Sequence, residues 1–167
     1  MLLPILSARA QQPALKPITV GDYLPEIMLN DLLNYKSDTA SLREFKGKMV
    51  ILDFWSPYCK SCIKAMPKLD SLQVLFKENV QFIMVTEPSN DALNSKAITK
   101  LFDKRKSLEL FVPSFPVTGT GNNILTEIFP HDFVPYYVFI NSRGRVCAVT
   151  SYQLMNAETI QTLIRIK

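Results

Sequence analysis

Cys59 and Cys62 stand two residues apart in the segment Asp53-Phe-Trp-Ser-Pro-Tyr-Cys59-Lys-Ser-Cys62, where an apolar run gives way to a helical pattern. Two thiols at that spacing can close a small disulfide and reopen it. A thiol attacks a disulfide only as the thiolate, so one cysteine must sit where the anion is favoured. Cys59 falls at the predicted helix start, beside unpaired backbone amides and the positive end of the macrodipole, with Lys60 next to it. It is therefore the expected attacking sulfur, with a pKa below the free value of about 8.5. Cys62, one turn further in, is the expected resolving sulfur. Its proton needs an acceptor, and Asp53, at an inward position of the preceding strand, is the candidate. Burial without a cation would raise the pKa of Asp53 towards the range where it exchanges protons near neutrality. Trp55 and Tyr58 flank the thiols and are read as part of a substrate-docking surface, with ordinary packing aromatics as the alternative.

The remaining reactive side chains are few. Three cysteines and one histidine make a poor zinc set, because a structural site wants two closely spaced ligand pairs, so no metal site is expected. Cys147 is read as a small core residue of its strand and His131 as a loop residue. No cofactor is implied. A net charge of +4, with scattered basic residues, gives nucleic-acid binding no support. The basic stretch Lys100 to Lys106 reads as the solvated face of a helix.

The elements that must position the thiols can be read from periodicity. Met49 to Trp55 is almost continuously apolar, as a central strand covered on both faces should be. From Cys59 onward, Cys62, Met66, Leu69, Leu72 and Phe76 recur at helical spacing, with Pro67 expected to kink that helix. Val80 to Thr86 is a second buried strand. Ser89, Asn90 and Asp91 offer caps for a helix carrying Leu93, Ala97, Leu101 and Phe102. Short strands are expected at Glu26–Leu29, Thr39–Ser41 and Phe115–Val117, a helical turn at Leu42–Phe45, and a short helix at Asn122–Phe129. Tyr136–Ile140 and Arg145–Thr150 form a hairpin around Asn141-Ser-Arg-Gly144. A last helix capped by Asn156 buries Ile160, Leu163 and Ile164. Together these describe an α/β domain, a central sheet with helices on both faces.

At the N-terminus, the apolar Leu2 to Leu6 is followed by Ala8-Arg9-Ala10, a small-x-small pattern like a signal-peptidase site. Residues 1–17 are read as the remnant of a secretory signal, with a plain disordered tail as the alternative. The folded domain is expected over 18–167, in an oxidising extracytoplasmic space. The chain is also read as a domain that a longer protein could contain.

The sequence resembles the thioredoxin superfamily, and more closely the extracytoplasmic TlpA/ResA-type thiol–disulfide oxidoreductases. The resemblance is carried by Phe45-Lys-Gly-Lys48, Val50-Ile-Leu-Asp-Phe-Trp55, Cys59-Lys-Ser-Cys62 with Pro67 five residues on, Gly21-Asp-Tyr-Leu-Pro25 and Phe133-Val-Pro-Tyr-Tyr-Val-Phe-Ile-Asn-Ser-Arg-Gly144. It covers about residues 18–166, and Asn30-Asp-Leu-Leu-Asn-Tyr35 with Phe129-Pro-His131 is similar in style to Bacteroidetes members. It implies a thioredoxin-like fold with a central mixed sheet, an N-terminal strand extension and a helix/strand insertion. It also implies that Val134–Pro135 is a cis peptide against the thiols, exposing the Val134 backbone to a substrate segment, and that Asp53 is the buried proton acceptor.

The implied activity is protein disulfide reduction in the periplasm, or from a membrane-anchored position, on protein thiol/disulfide substrates. The chain is expected to be a monomer, reset by a membrane or periplasmic electron donor. Alternatives are a redox-inert interaction module and a thiol peroxidase. The peroxidase loop Pro-x-x-x-Thr-x-x-Cys is not what Trp55-Ser-Pro-Tyr-Cys59 supplies. Ser61 stands where many members carry proline before the second cysteine, and Ala65 where ResA-like proteins carry glutamate. The reduction potential and pH response tied to those residues are therefore not carried over.

Overall fold

A computed structural model describes residues 16–87, 95–119 and 123–166. Three strands carry the architecture: β4 (Met49–Trp55), β5 (Val80–Thr86) and β7 (Tyr136–Ile140), each with the boundaries its apolar run predicts. Before them come β1 (Met28–Leu29), β2 (Leu32–Leu33) and β3 (Ala40–Ser41). β6 (Val117–Thr118) and β8 (Val146–Thr150) complete the set. The main sheet runs β2-β6-β5-β4-β7-β8, and β1 pairs with β3 in a separate two-stranded sheet. β4 lies parallel to β5 and antiparallel to β7, which makes the sheet mixed.

Alternation along β4 divides the interior. Ile51 and Trp55 join one core with Cys62, Ala65, Met66 and Leu69 of α1 (Lys60–Leu75), Ile98 and Phe102 of α2 (Ser95–Ser107), and Ile160 of α4 (Ala157–Ile164). Val50, Leu52 and Phe54 join the other, with Leu125 and Ile128 of α3 (Asn123–Ile128) and with Ile27, Leu42 and Phe45 from the N-terminal extension. Helices therefore cover both faces.

Local chemistry explains the element ends. Ser41 and Glu44 form a capping box that starts the 3₁₀ turn Leu42–Phe45: the Arg43 amide donates to Ser41 Oγ, and the Ser41 amide to Glu44 Oε1 at 3.0 Å. Helix α1 buries positions 62, 65, 66, 69 and 72, the three- and four-residue spacing of one helical face. Pro67 lies inside it and removes one donor from the helical ladder. At the β7–β8 hairpin, Asn141 Oδ1 accepts from the amides of Arg143 and Arg145, and Gly144 takes φ 86°, a conformation L side chains avoid. Asn156 Oδ1 accepts from the Thr159 amide and caps α4.

The structure departs from the sequence reading in places. β2 was not expected; it pairs antiparallel with β6, Leu32 opposite Thr118. The strand expected at 115–117 is β6, displaced to Val117–Thr118, while Phe115 precedes it and packs in the core against Phe82. The expected caps at 89–91 and Leu93 lie outside the described residues, as do residues 1–15 of the N-terminal segment. Among the described residues, no helix is long and apolar enough to cross a membrane.

Candidate active site

β4 ends at Trp55, and a tight turn hands the chain to α1. The Cys59 amide donates to Ser56 O at 2.9 Å, closing that turn, and Cys59 becomes the N-cap of α1. Its Sγ accepts the Cys62 amide at 3.1 Å, one of the four donors a helix start leaves unpaired. Negative charge on this sulfur would therefore meet a backbone N–H and the helix dipole together. Ser61 Oγ lies 3.2 Å from the same atom. The two sulfurs are bonded at 2.16 Å.

The pair is asymmetric. Cys62 is 2% exposed and belongs to the core, whereas Cys59 is half-buried at the rim. The Val134–Pro135 peptide is cis, and Val134 O lies 3.7 Å from Cys59 Sγ, so the loop before β7 sits against the accessible sulfur. Tyr58, next to Cys59 in the chain, is 66% exposed, and Phe133, next to Val134, is 61% exposed.

Asp53 shares the β4 face of Ile51 and Trp55 and is 2% exposed. Burial holds its carboxyl well above the usual carboxylate range, and no cation opposes that. Its cross-strand neighbours are Met84 on β5 and Tyr137 on β7. The Tyr137 hydroxyl is buried, and its ionisation is pushed far up by burial and by Asp53.

Trp55 corrects the sequence reading. It is fully buried rather than part of a docking surface, because its strand position turns the ring into the core, where it stacks on Phe102 at 6.1 Å. Its indole N–H donates to Thr86 Oγ1 at 3.1 Å. Thr86 Oγ1 in turn donates to the Thr118 carbonyl, and the Thr86 amide to Thr118 Oγ1 at 3.2 Å, knitting β4, β5 and β6 together where they end.

His131 lies in the loop before β7, as expected, but that position is a buried one. Its side chain is only 3% exposed, with Nε2 3.2 Å from Glu87 Oε1 and Nδ1 2.7 Å from Phe129 O. The imidazole stacks on Tyr136 at 4.4 Å and meets Phe54 edge-on at 4.7 Å. Burial alone would lower its pKa, but Glu87, the Phe129 carbonyl and Asp132 outweigh it and the pKa is raised. Cys147, half-buried on β8, has its Sγ 3.4 Å from Phe139 O, and burial pushes its thiol pKa up.

Sequence reasoning missed Thr86, Glu87, Phe133 and Tyr137. Thr86 and Glu87 carried a usable signal: they end a strand parallel to β4, and the carboxyl ends of parallel strands are where α/β sites assemble.

The profile of the redoxin family matches residues 19–153. Over 127 residues, 76% of this chain, the sequence is 32% identical to the thiol-disulfide oxidoreductase ResA of Bacillus thuringiensis subsp. konkukian. That match spans 66% of the relative's own length, just under two thirds. Among solved structures, the thioredoxin domain of a thiol-disulfide oxidoreductase from Bacteroides vulgatus superposes with a TM-score of 0.63 at 21% identity, covering 87% of this chain and 96% of that one. The exposed lipoprotein thioredoxin Etrx1 of Streptococcus pneumoniae superposes with a TM-score of 0.64 at 24% identity, covering 83% and 98%. Both likenesses carry the thioredoxin-like fold.

Proposed function

The chain belongs to the redoxin family, within the thioredoxin superfamily and of the ResA/TlpA type, and from that membership we propose that it reduces protein disulfides through the Cys59–Cys62 pair. The observation that carries this reading is the division of labour between the sulfurs. One is at the rim with a backbone N–H aimed at it, and the other is 2% exposed beneath it.

In the reduced enzyme, the Cys59 thiolate attacks one sulfur of a substrate disulfide. That bond breaks, the second substrate sulfur leaves as a thiolate, and a mixed disulfide forms on Cys59. Cys62 then loses its proton to the Asp53 carboxylate and attacks Cys59 Sγ. The remaining substrate sulfur is released, two electrons have passed to the substrate, and the enzyme holds the Cys59–Cys62 disulfide. Asp53 suits this step because burial raises its affinity for a proton. Val134 and Pro135 receive the substrate segment beside Cys59, with Tyr58 as an exposed apolar contact.

A separate dithiol donor restores the reduced pair. An extracytoplasmic setting is supported by the Leu2–Leu6 and Ala8-Arg9-Ala10 pattern, and the protein is read as a monomer there. The test is insulin disulfide reduction by the wild type, Cys59→Ser and Cys62→Ser. The first substitution should abolish turnover, and the second should leave a mixed disulfide with substrate detectable by mass spectrometry. Equal activity of wild type and Cys59→Ser rejects the reading.

A further inference from the structure

The loop that faces Cys59 is held at its base by a buried charge contact. His131 lies four residues before Pro135, and its ring touches two strands and the segment that follows a third. Phe54 of β4 meets its edge, Tyr136 of β7 lies flat against it, and Glu87, which follows β5, faces Nε2 at 3.2 Å. Nδ1, 2.7 Å from Phe129 O, closes the start of the same loop. From this keystone the chain runs through Phe133, whose ring meets Tyr136 edge-on, to Val134, whose carbonyl is 3.7 Å from Cys59 Sγ.

We infer that His131 is a positioning residue for substrate capture: its charge contact with Glu87 holds residues 129–135 in the shape that presents the Val134 backbone to a substrate segment. This rests on the oxidoreductase reading above and adds a proton to it. Nδ1–H donates to the Phe129 carbonyl, so the titrating proton is the one on Nε2. With that proton present, an N–H faces Glu87. Without it, a nitrogen lone pair faces a carboxylate oxygen inside a site nearly closed to water.

The groups around the ring fix the direction. Glu87 faces it from the end of β5, and Asp132 adjoins it in the loop; both favour the charged imidazole. Tyr136 contributes a hydroxyl that burial keeps neutral, and Phe54 carries no charge. The contact is therefore complete below the raised pKa of His131 and lost as pH rises through it. Capture of an extended polypeptide weakens in the same interval, while a step made only by the sulfurs is governed by their own titration.

The test is a KM-against-kcat comparison with insulin as substrate, at about pH 6 and about pH 9, on either side of the histidine range. In the wild type, KM should rise about fivefold across that interval, the scale of about 1 kcal/mol for one partly buried charge contact. His131→Gln keeps an N–H towards Glu87 without titrating, and its KM should not change with pH. His131→Phe keeps the stacking and loses the charge, and should show the high KM throughout. In nuclear magnetic resonance spectra of the full chain, the Val134 amide should titrate with the His131 ring. A pH-independent wild-type KM, or a Gln variant that keeps the wild-type slope, overturns the inference and leaves the oxidoreductase reading standing. A wild type that fails to reduce insulin at any pH removes both.

Discussion

Asp53 and Tyr137 stand directly opposite each other in the antiparallel β4–β7 ladder, both buried. On its other side Asp53 faces Met84, so neither neighbour offers it a positive charge. A carboxyl in this position is kept protonated by burial, and that has consequences for both rate and stability.

For the rate, the proposed mechanism has the Asp53 carboxylate accept the Cys62 proton, and that carboxylate is populated only as pH climbs towards its raised pKa. Resolution of a mixed disulfide should therefore accelerate with pH in the wild type. Asp53→Asn should be slower by about tenfold or more and lack that limb, since general base catalysis contributes on the order of 10²–10⁴-fold. Stopped-flow decay of the mixed disulfide checks this, and an unchanged rate and profile in the variant would remove Asp53 from the mechanism.

For stability, the sign follows from the same shift. The unfolded chain ionises Asp53 above about pH 4, whereas the folded chain holds its proton to higher pH. Unfolding then releases a proton, and stability falls as pH rises from the unfolded value towards the folded one. Asp53→Asn should raise the thermal midpoint by several degrees near neutrality, at about 2–4 °C per kcal/mol for a domain of this size. The gain should shrink as pH approaches 4. Calorimetry across that range decides, and a gain that grows towards acid pH contradicts the assignment.

Thr86 tests the polar seam at the strand ends. Its hydroxyl accepts from the Trp55 indole and donates to the Thr118 carbonyl, all three residues being buried. Thr86→Val keeps the shape and strands both partners, so it should cost about 1–3 kcal/mol in urea unfolding. A loss below about 0.5 kcal/mol would mean the seam carries little.

Tyr58 and Phe133, neighbours in the chain of Cys59 and Val134, keep most of their surface exposed. Alanine at either position should change stability by no more than about 0.5 kcal/mol, as exposed sites do. KM for a protein substrate should rise, most in the double variant. Substitutions that destabilise the fold while leaving KM alone would make these residues structural instead.

Much of this architecture is legible in the sequence because three strands are apolar on both faces. Met49–Trp55, Val80–Thr86 and Tyr136–Ile140 announce themselves with no knowledge of their partners. The burial of Asp53 is legible only in part: the run is apolar on both faces, but a carboxylate near a strand end can also turn to solvent, and its 2% exposure decides between the two. β2 is not legible, since two leucines become a strand only by meeting Val117 and Thr118 far along the chain. Trp55 was misplaced because proximity to a cysteine in sequence does not say which face of the strand a ring takes. The loop position of His131 is legible, but its burial is not, since that is assembled from Phe54 on β4, Glu87 just past β5 and Tyr136 on β7.

Cys147 shows what the site gains from the rest of the fold. Three thiols allow three different disulfides. Partly buried in β8 beside the Phe139 carbonyl and kept protonated, Cys147 has little thiolate with which to compete. In the proposed cycle, the mixed disulfide with substrate aside, the chain's internal redox state then has two favoured positions, open or closed at Cys59–Cys62, and electrons would pass in pairs at a single place.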